Sequence, residues 1–162
     1  MTLAINKLGD PVLRCRAAET EHNEKELARV IADMAKTLKK AKGLGLAAPQ
    51  VGILKRLFIY DLGDGVEVMI NPVIIEASEE TCEDTEGCLS IPGFEVTVKR
   101  AVEVTVEAED AAGSKKTVEA EGLMARMFQH EIDHLDGVLI IDRTSDEERR
   151  AVMKALLRED TR

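Results

Sequence analysis

The chain has 162 residues, enough for one compact domain with a buried core. With 44% hydrophobic and 33% charged residues it reads as a globular protein, which excludes a disordered one. Acidic residues outnumber basic ones, 31 to 22, for a formal charge of −9 that disfavours non-specific nucleic-acid binding; no apolar run approaches the roughly 18 residues of a membrane span.

No repeat, low-complexity tract or Pro/Ser-rich linker interrupts the sequence, so a single domain over residues 1–162 is expected. The opening stretch MTLAINKLGDPVLR lacks a continuous apolar segment behind a basic start, and a cytoplasmic protein is the expectation. A first helix is predicted from about Asn23 to Lys42. Leu27, Val30, Ile31, Met34 and Leu38 form its apolar stripe, Asn23 and Glu26 a capping box, and Gly43 its stop. A small-residue segment follows from Gly43 to Gly52.

The period then shortens. Leu57–Asp61, Val66–Ile70 and Val73–Ala77 are predicted as short strands, broken at Gly63–Gly65 and at Asn71–Pro72. Glu95–Lys99 and Ala101–Ala108 come next. In the latter, Val102, Val104 and Val106 alternate with polar residues, as in an antiparallel strand with one wet face. A turn at Asp110–Ser114 leads to a returning strand, Lys116–Glu121. A second helix is predicted from Leu123 to a glycine cap at Gly137, and then a short strand over Val138–Ile141. Ser145 and Glu148 open a terminal helix with Val152, Met153, Leu156 and Leu157 on its inner side. The implied fold is α+β: antiparallel sheets around one central helix, with N-terminal and C-terminal helices.

The densest chemistry lies in QHEIDHLDG, Gln129 to Gly137. On a helix, His130 and His134 sit one turn apart on one face, so both imidazoles can meet a single ion. Glu131 is displaced about 100° around the helix, where it reaches water at the ion without being a ligand. Two of the three histidines lie here, and His22 is far off. A catalytic site of this kind takes a third protein ligand and keeps one position open. The three cysteines are an odd number, which argues against a disulfide framework. Cys88, in TEGCLSIPG, is the best candidate ligand; the plainer reading is a small buried hydrophobe. A thiolate with two imidazoles favours Fe²⁺, Zn²⁺, Ni²⁺ or Co²⁺.

Three segments together, GLGLAAPQ (Gly43–Gln50), EGCLS (Glu86–Ser90) and QHEIDH (Gln129–His134), resemble the signature motifs of bacterial peptide deformylases, in that family's order. The resemblance runs from GDPVLR to GVLIIDR, and the helical C-terminus resembles the type-1 branch. It implies hydrolysis of the formyl group from the N-terminal formylmethionine of new polypeptides. By position, Cys88, His130 and His134 match the metal ligands and Glu131 the catalytic acid/base. Gln50 and the Leu89 N–H match the groups that steady the oxygen of the attacked carbonyl. Fe²⁺ is the implied ion, with Zn²⁺, Ni²⁺ or Co²⁺ possible in purified protein. Glu95 stands where family members often carry Arg or Tyr, at a position facing the bound peptide.

Gly43 and Gly45 leave backbone open for a substrate peptide to pair as an added strand, or else only end the first helix. Leu44, Leu123 and Met127 are candidates for an apolar methionine slot, with Glu86 and Arg126 at its mouth. Arg126 is otherwise solvated surface or a partner of Glu86. A peptidase of the H-E-x-x-H type is the competing enzyme reading, although no histidine follows His134 to complete such a site. A non-catalytic metal-binding or ribosome-associated module is the competing binding reading. Separately, Arg149, Arg150, Lys154 and Arg158 on the terminal helix could touch ribosomal RNA or protein, but acids in the same segment balance them and a solvated helix is the favoured reading.

Overall fold

The computed structural model describes residues 1–160, so the last two residues of the expected domain lie outside the described residues. Helix α1 (Glu24–Ala41) precedes strands β1 (Gly45–Ala47), β2 (Leu57–Tyr60) and β3 (Glu67–Ala77). A hairpin of β4 (Thr81–Cys88) and β5 (Ile91–Ala101) follows, then β6 (Glu103–Glu109) and β7 (Lys115–Glu121). Helix α2 (Gly122–Leu135), the single turn α3 (Ile140–Arg143) and helix α4 (Asp146–Glu159) complete the chain. The large sheet is antiparallel in the order β1-β2-β3-β6-β7, and β4 and β5 form a separate two-stranded sheet.

The sheet is clothed on both faces, which explains why β2 reads as an unbroken apolar run, LFIY. Leu57 and Ile59 pack with Leu27, Met34 and Leu38 of α1. Phe58 and Tyr60 point the other way, onto α2, where Phe128 meets their rings at 5.6 and 5.1 Å between centroids. Helix α2 touches β1, β2, β6 and β7 of the large sheet and β5 of the hairpin, and is therefore the central element. A third apolar cluster, Ile91, Val96 and Val98 of β5 with Leu139, Ile140, Ile141 and Val152, seats the hairpin on α3 and α4.

Five expectations are corrected. Residues 138–141 are not a strand: Ile140–Arg143 wind into α3, and the Asp142 carboxylate accepts the Leu139 N–H at 2.8 Å. Burying Leu139, Ile140 and Ile141 together stabilises the turn by about 1.5–3 kcal/mol each, against β-branching preferences of a few tenths. Gly43 does not end α1, because Lys42 takes the left-handed conformation (φ 56°). The two strands expected around Asn71–Pro72 are one, β3, which accommodates the break as a bulge with Asn71 at φ 50°. On α4 only Val152 is buried, with Leu156 half-buried; Met153 and Leu157 face outward. Glu148 does not complete a box with Ser145 either. Its carboxylate accepts the Thr97 N–H at 2.9 Å and so ties α4 to β5.

Gly137 is required on two counts. Its φ of 74° disfavours side chains, and a Cβ would stand 2.6 Å from the Arg14 carbonyl oxygen.

Candidate metal centre and its cleft

Gln129 brackets the Ala101 peptide group, accepting its N–H at 3.1 Å and donating to its C=O at 3.0 Å, and so pins α2 to the end of β5. Ile132 and Leu135 enter the core shared with the large sheet. His130 and His134 are left on the face toward the hairpin, where Cys88 ends β4 at a register shift between Gly87 and Cys88.

The Cys88 sulfur lies 3.3 Å from His134 Nε2, and the two imidazole Nε2 atoms lie 3.2 Å apart. All three donor atoms fall within 4.8 Å of one another. Ligands about 2.0–2.3 Å from one tetrahedral ion stand roughly 3.3–3.8 Å apart, so the set has the size of a metal site. Its charge also fits. Burial pulls His130 down, yet the Cys88 sulfur and the Glu86 carboxylate beside it outweigh that and push its pKa up to about 10. The surroundings favour a positive charge at the centre, which a cation satisfies. His134 is held well below the usual histidine range, by burial and then by the charge of His130, and so stays neutral.

The tautomer of His130 is set from behind. Its Nδ1 lies 2.9 Å from Glu86 Oε1, so Nδ1–H donates to the carboxylate and Nε2 keeps its lone pair for the centre. Glu86 is in turn gripped by Arg100, with Nε and Nη2 each at 2.9 Å, and by Arg126 Nη1 at 2.7 Å. Burial would raise the Glu86 carboxyl, but hydrogen bonds from His130 and Arg100 hold it at about 2. Arg100 also donates to Asp133 Oδ2 at 2.6 Å, and Arg143 to Asp133 Oδ1 at 2.9 Å. The hairpin and both ends of the histidine motif are thus joined by one ionic chain.

Glu86 and Arg126 line one cleft with Leu44, Leu123 and Met127. Glu86 is 6% exposed, and Arg126 spends its guanidinium on Glu86 and on the Val98 and Cys82 carbonyls. They form a wall. Of the two readings of Arg126, the partner of Glu86 is the one observed.

Glu131 is 3% exposed and its Oε2 has no hydrogen-bond partner among the described residues. Burial raises its carboxyl to about 7, the field of His130 lowering it and that of Glu86 raising it further. An unpartnered buried carboxylate oxygen beside a cation site needs a proton donor opposite it. Gly45 makes its position available, because a Cβ there would lie 2.6 Å from Glu131 Oε1.

Gln50 is 1% exposed, at the end of a short helical turn. Its Oε1 accepts the Ala47 N–H at 2.9 Å, which turns Nε2 toward Ser90 Oγ (3.2 Å) and the Cys88 sulfur (3.7 Å). A cleft of about 800 Å³ gathers Leu44, Gly45, Gln50, Glu86, Cys88, Leu89, Leu123, Arg126, Met127, His130 and Glu131 on its walls. His134 closes the centre from behind. Sequence reasoning missed Ser90, Arg100, Asp133 and Arg143. The signal for Asp133 was an acid set between two ligands on a helix; Arg100 had none.

The family model described as "Polypeptide deformylase" matches residues 2–150. The chain belongs to the polypeptide deformylase family. A deformylase of Dictyoglomus thermophilum is 48% identical over 147 residues, covering 91% of this chain and 95% of that one. The crystal structure of a peptide deformylase from Legionella pneumophila superposes with a TM-score of 0.93 at 38% identity, covering 100% of this chain and 99% of that chain. A deformylase from Synechococcus elongatus, solved in complex with actinonin, superposes with a TM-score of 0.91 at 42% identity over 94% of this chain and 85% of that one. The family likeness accounts for the α+β architecture, within which Cys88, His130 and His134 form a group that could hold a metal ion.

Proposed function

We propose that the chain removes the formyl group from the N-terminal formylmethionine of newly made polypeptides, with Cys88, His130 and His134 holding one divalent ion and Glu131 moving the proton. The observation that carries the reading is the buried, unpartnered Glu131 carboxylate beside a sulfur and two imidazole nitrogens, on the wall of a cleft large enough for a peptide end. Fe²⁺ is the proposed ion, and the thiolate–imidazole set also suits Zn²⁺, Ni²⁺ or Co²⁺. Bound there, the ion supplies Lewis acidity toward water and toward a carbonyl oxygen.

The chain's own residues do the rest. Glu131 takes a proton from the water that attacks the formyl carbon and later delivers it to the departing amine as the C–N bond breaks, leaving formate and a free methionine amine. Gln50 Nε2–H and the Leu89 N–H donate to the oxygen of the attacked carbonyl, and the Ala47 N–H keeps the Gln50 amide aimed. Strand β1 is an edge strand of the large sheet, and its neighbours Gly43 and Leu44 line the cleft with Gly45, so a substrate backbone can add alongside as a further strand. Leu44, Leu123 and Met127 receive the methionine side chain.

Formylated nascent chains place this reaction in the cytoplasm; among the described residues no helix is long and apolar enough to cross a membrane. Ribosome contact through α4 has less behind it. Arg149, Arg150 and Lys154 are exposed there, but Asp146, Glu147 and Glu159 share the helix, so α4 is read as a solvated surface.

The test is Glu131→Ala, loaded anaerobically and assayed on a formyl-Met peptide. Metal content stays at that of the wild type, while turnover falls by about 10²–10⁴, the range for a general acid–base group. Normal turnover by the variant sinks the assignment of Glu131; a wild type that ignores formyl-Met peptides sinks the reading as a whole.

A further inference from the structure

Four of the five charged side chains on the cleft wall are committed. Glu86 is held by Arg100, Arg126 and His130, Arg126 by Glu86 and two carbonyls, and His130 and Glu131 belong to the centre. Glu95 is the exception. It lines the same cleft, is exposed, and has no hydrogen bond or ion pair among the described residues. Its partner across the β4–β5 ladder is Gly87, which has no side chain to cover it, and Gly87 immediately precedes Cys88. A carboxylate is therefore displayed to solvent on the cleft wall, opposite the residue that precedes Cys88.

We propose that Glu95 selects formylmethionyl peptides carrying a cationic side chain, lysine or arginine, at the second or third residue. This rests on the deformylase reading and adds its substrate preference. An extended peptide leaving the centre advances about 3.3–3.6 Å per residue, so residues two and three pass the rim while the methionine lies in the cleft. The side chain of either can meet the Glu95 carboxylate without disturbing any buried pair. The preference is electrostatic and therefore screened by salt.

The experiment compares kcat/KM for formyl-Met-Xaa-Ala and formyl-Met-Ala-Xaa peptides, with Xaa Lys, Ser or Glu, on metal-loaded wild type, Glu95→Gln, Glu95→Lys and Glu119→Gln. Glu119 is exposed on β7 and removes the same charge from a position outside the cleft wall. The wild type should prefer Lys over Glu by about three- to tenfold, the scale of an exposed pair together with its like-charge counterpart. That ratio falls to about one to two in Glu95→Gln, inverts in Glu95→Lys, persists in Glu119→Gln, and shrinks with added salt in the wild type. The Ser peptide, which offers Glu95 no charge, is the reference against which the Lys and Glu peptides are read in each protein. A Lys-to-Glu ratio unchanged at both positions in Glu95→Gln, with the peptides still hydrolysed, overturns the proposal and leaves the deformylase reading standing. No hydrolysis of any of these peptides by the wild type overturns both.

Discussion

The centre is assembled from two unlike halves. On the helix side, α2 carries His130, Glu131 and His134 in one turn whose flanking residues are buried against the large sheet. On the hairpin side, β4 is exposed along most of its length, with Glu86 its one buried residue, yet it delivers Cys88. The helix half is held by apolar packing; the hairpin half meets it through the Gln129–Ala101 hydrogen bonds and through charges, Glu86–Arg100–Asp133, with Arg126 and Arg143 flanking. Packing positions the two imidazoles to within a helical turn, whereas an ionic chain sets the distance from the third ligand to that pair.

The strongest way to break this asymmetry is Arg100→Met. Arg100 is the link that touches both Glu86 and Asp133, and it is 5% exposed. Its loss leaves two carboxylates in the interior with weakened compensation, and breaking such a buried set costs about 3–5 kcal/mol. Chemical denaturation should show that loss, together with weaker retention of metal against a chelator, because the Glu86 that orients His130 is released. A variant that keeps both stability and metal would show that apolar packing alone sets the hairpin. Phe128, which belongs to the packed half, gives the complementary control: Phe128→Ala costs a similar 3–5 kcal/mol by leaving a cavity, with no change in the metal set.

The same asymmetry decided what could be read from the amino acids. The helix half is periodic: the α1 stripe, the histidines at i and i+4, and the glycine at 137 all announce themselves at short range. The hairpin half does not. Thr81–Cys88 reads TCEDTEGC, with neither apolar alternation nor a β-branched run, so the strand is visible only once β5 pairs with it. Nothing local marks Arg100 as buried, because its partners are 14 and 33 positions away. Burial of three apolar residues against β5 likewise turned a strand-like VLII into a helical turn.

A smaller effect is expected at Gln50, where the halves meet without an ion pair. Gln50→Ala deletes a donor aimed by Ala47 and shared with Ser90 and Cys88. Turnover on a formyl-Met peptide should fall by about 10²–10³, or roughly 2.7–4 kcal/mol of transition-state stabilisation, with metal content unaltered. A drop carried by KM alone, with kcat intact, would make Gln50 a binding residue and remove it from the chemistry.

The smallest effect lies under the hairpin, where α3 is anchored at its edge. Asp142 accepts the Leu139 N–H and pairs with Arg14, whose Nη2 lies 3.2 Å from Oδ1. Burial raises the Asp142 carboxyl, but the Arg14 guanidinium and the Leu139 N–H more than reverse this, and it sits below the usual aspartate value. A carboxylate depressed on folding stabilises above its unfolded value, near 3.9, and that contribution drains away as pH falls through the folded one. Because the pair is partly exposed, solvent screening limits it, and Asp142→Asn should cost about 0.5–1 kcal/mol at neutral pH. Urea midpoints for wild type and variant should then converge as the pH drops below 4. Parallel lines through that range would mean that Asp142 acts only as a neutral hydrogen-bond acceptor for Leu139, leaving α3 held by apolar contact alone.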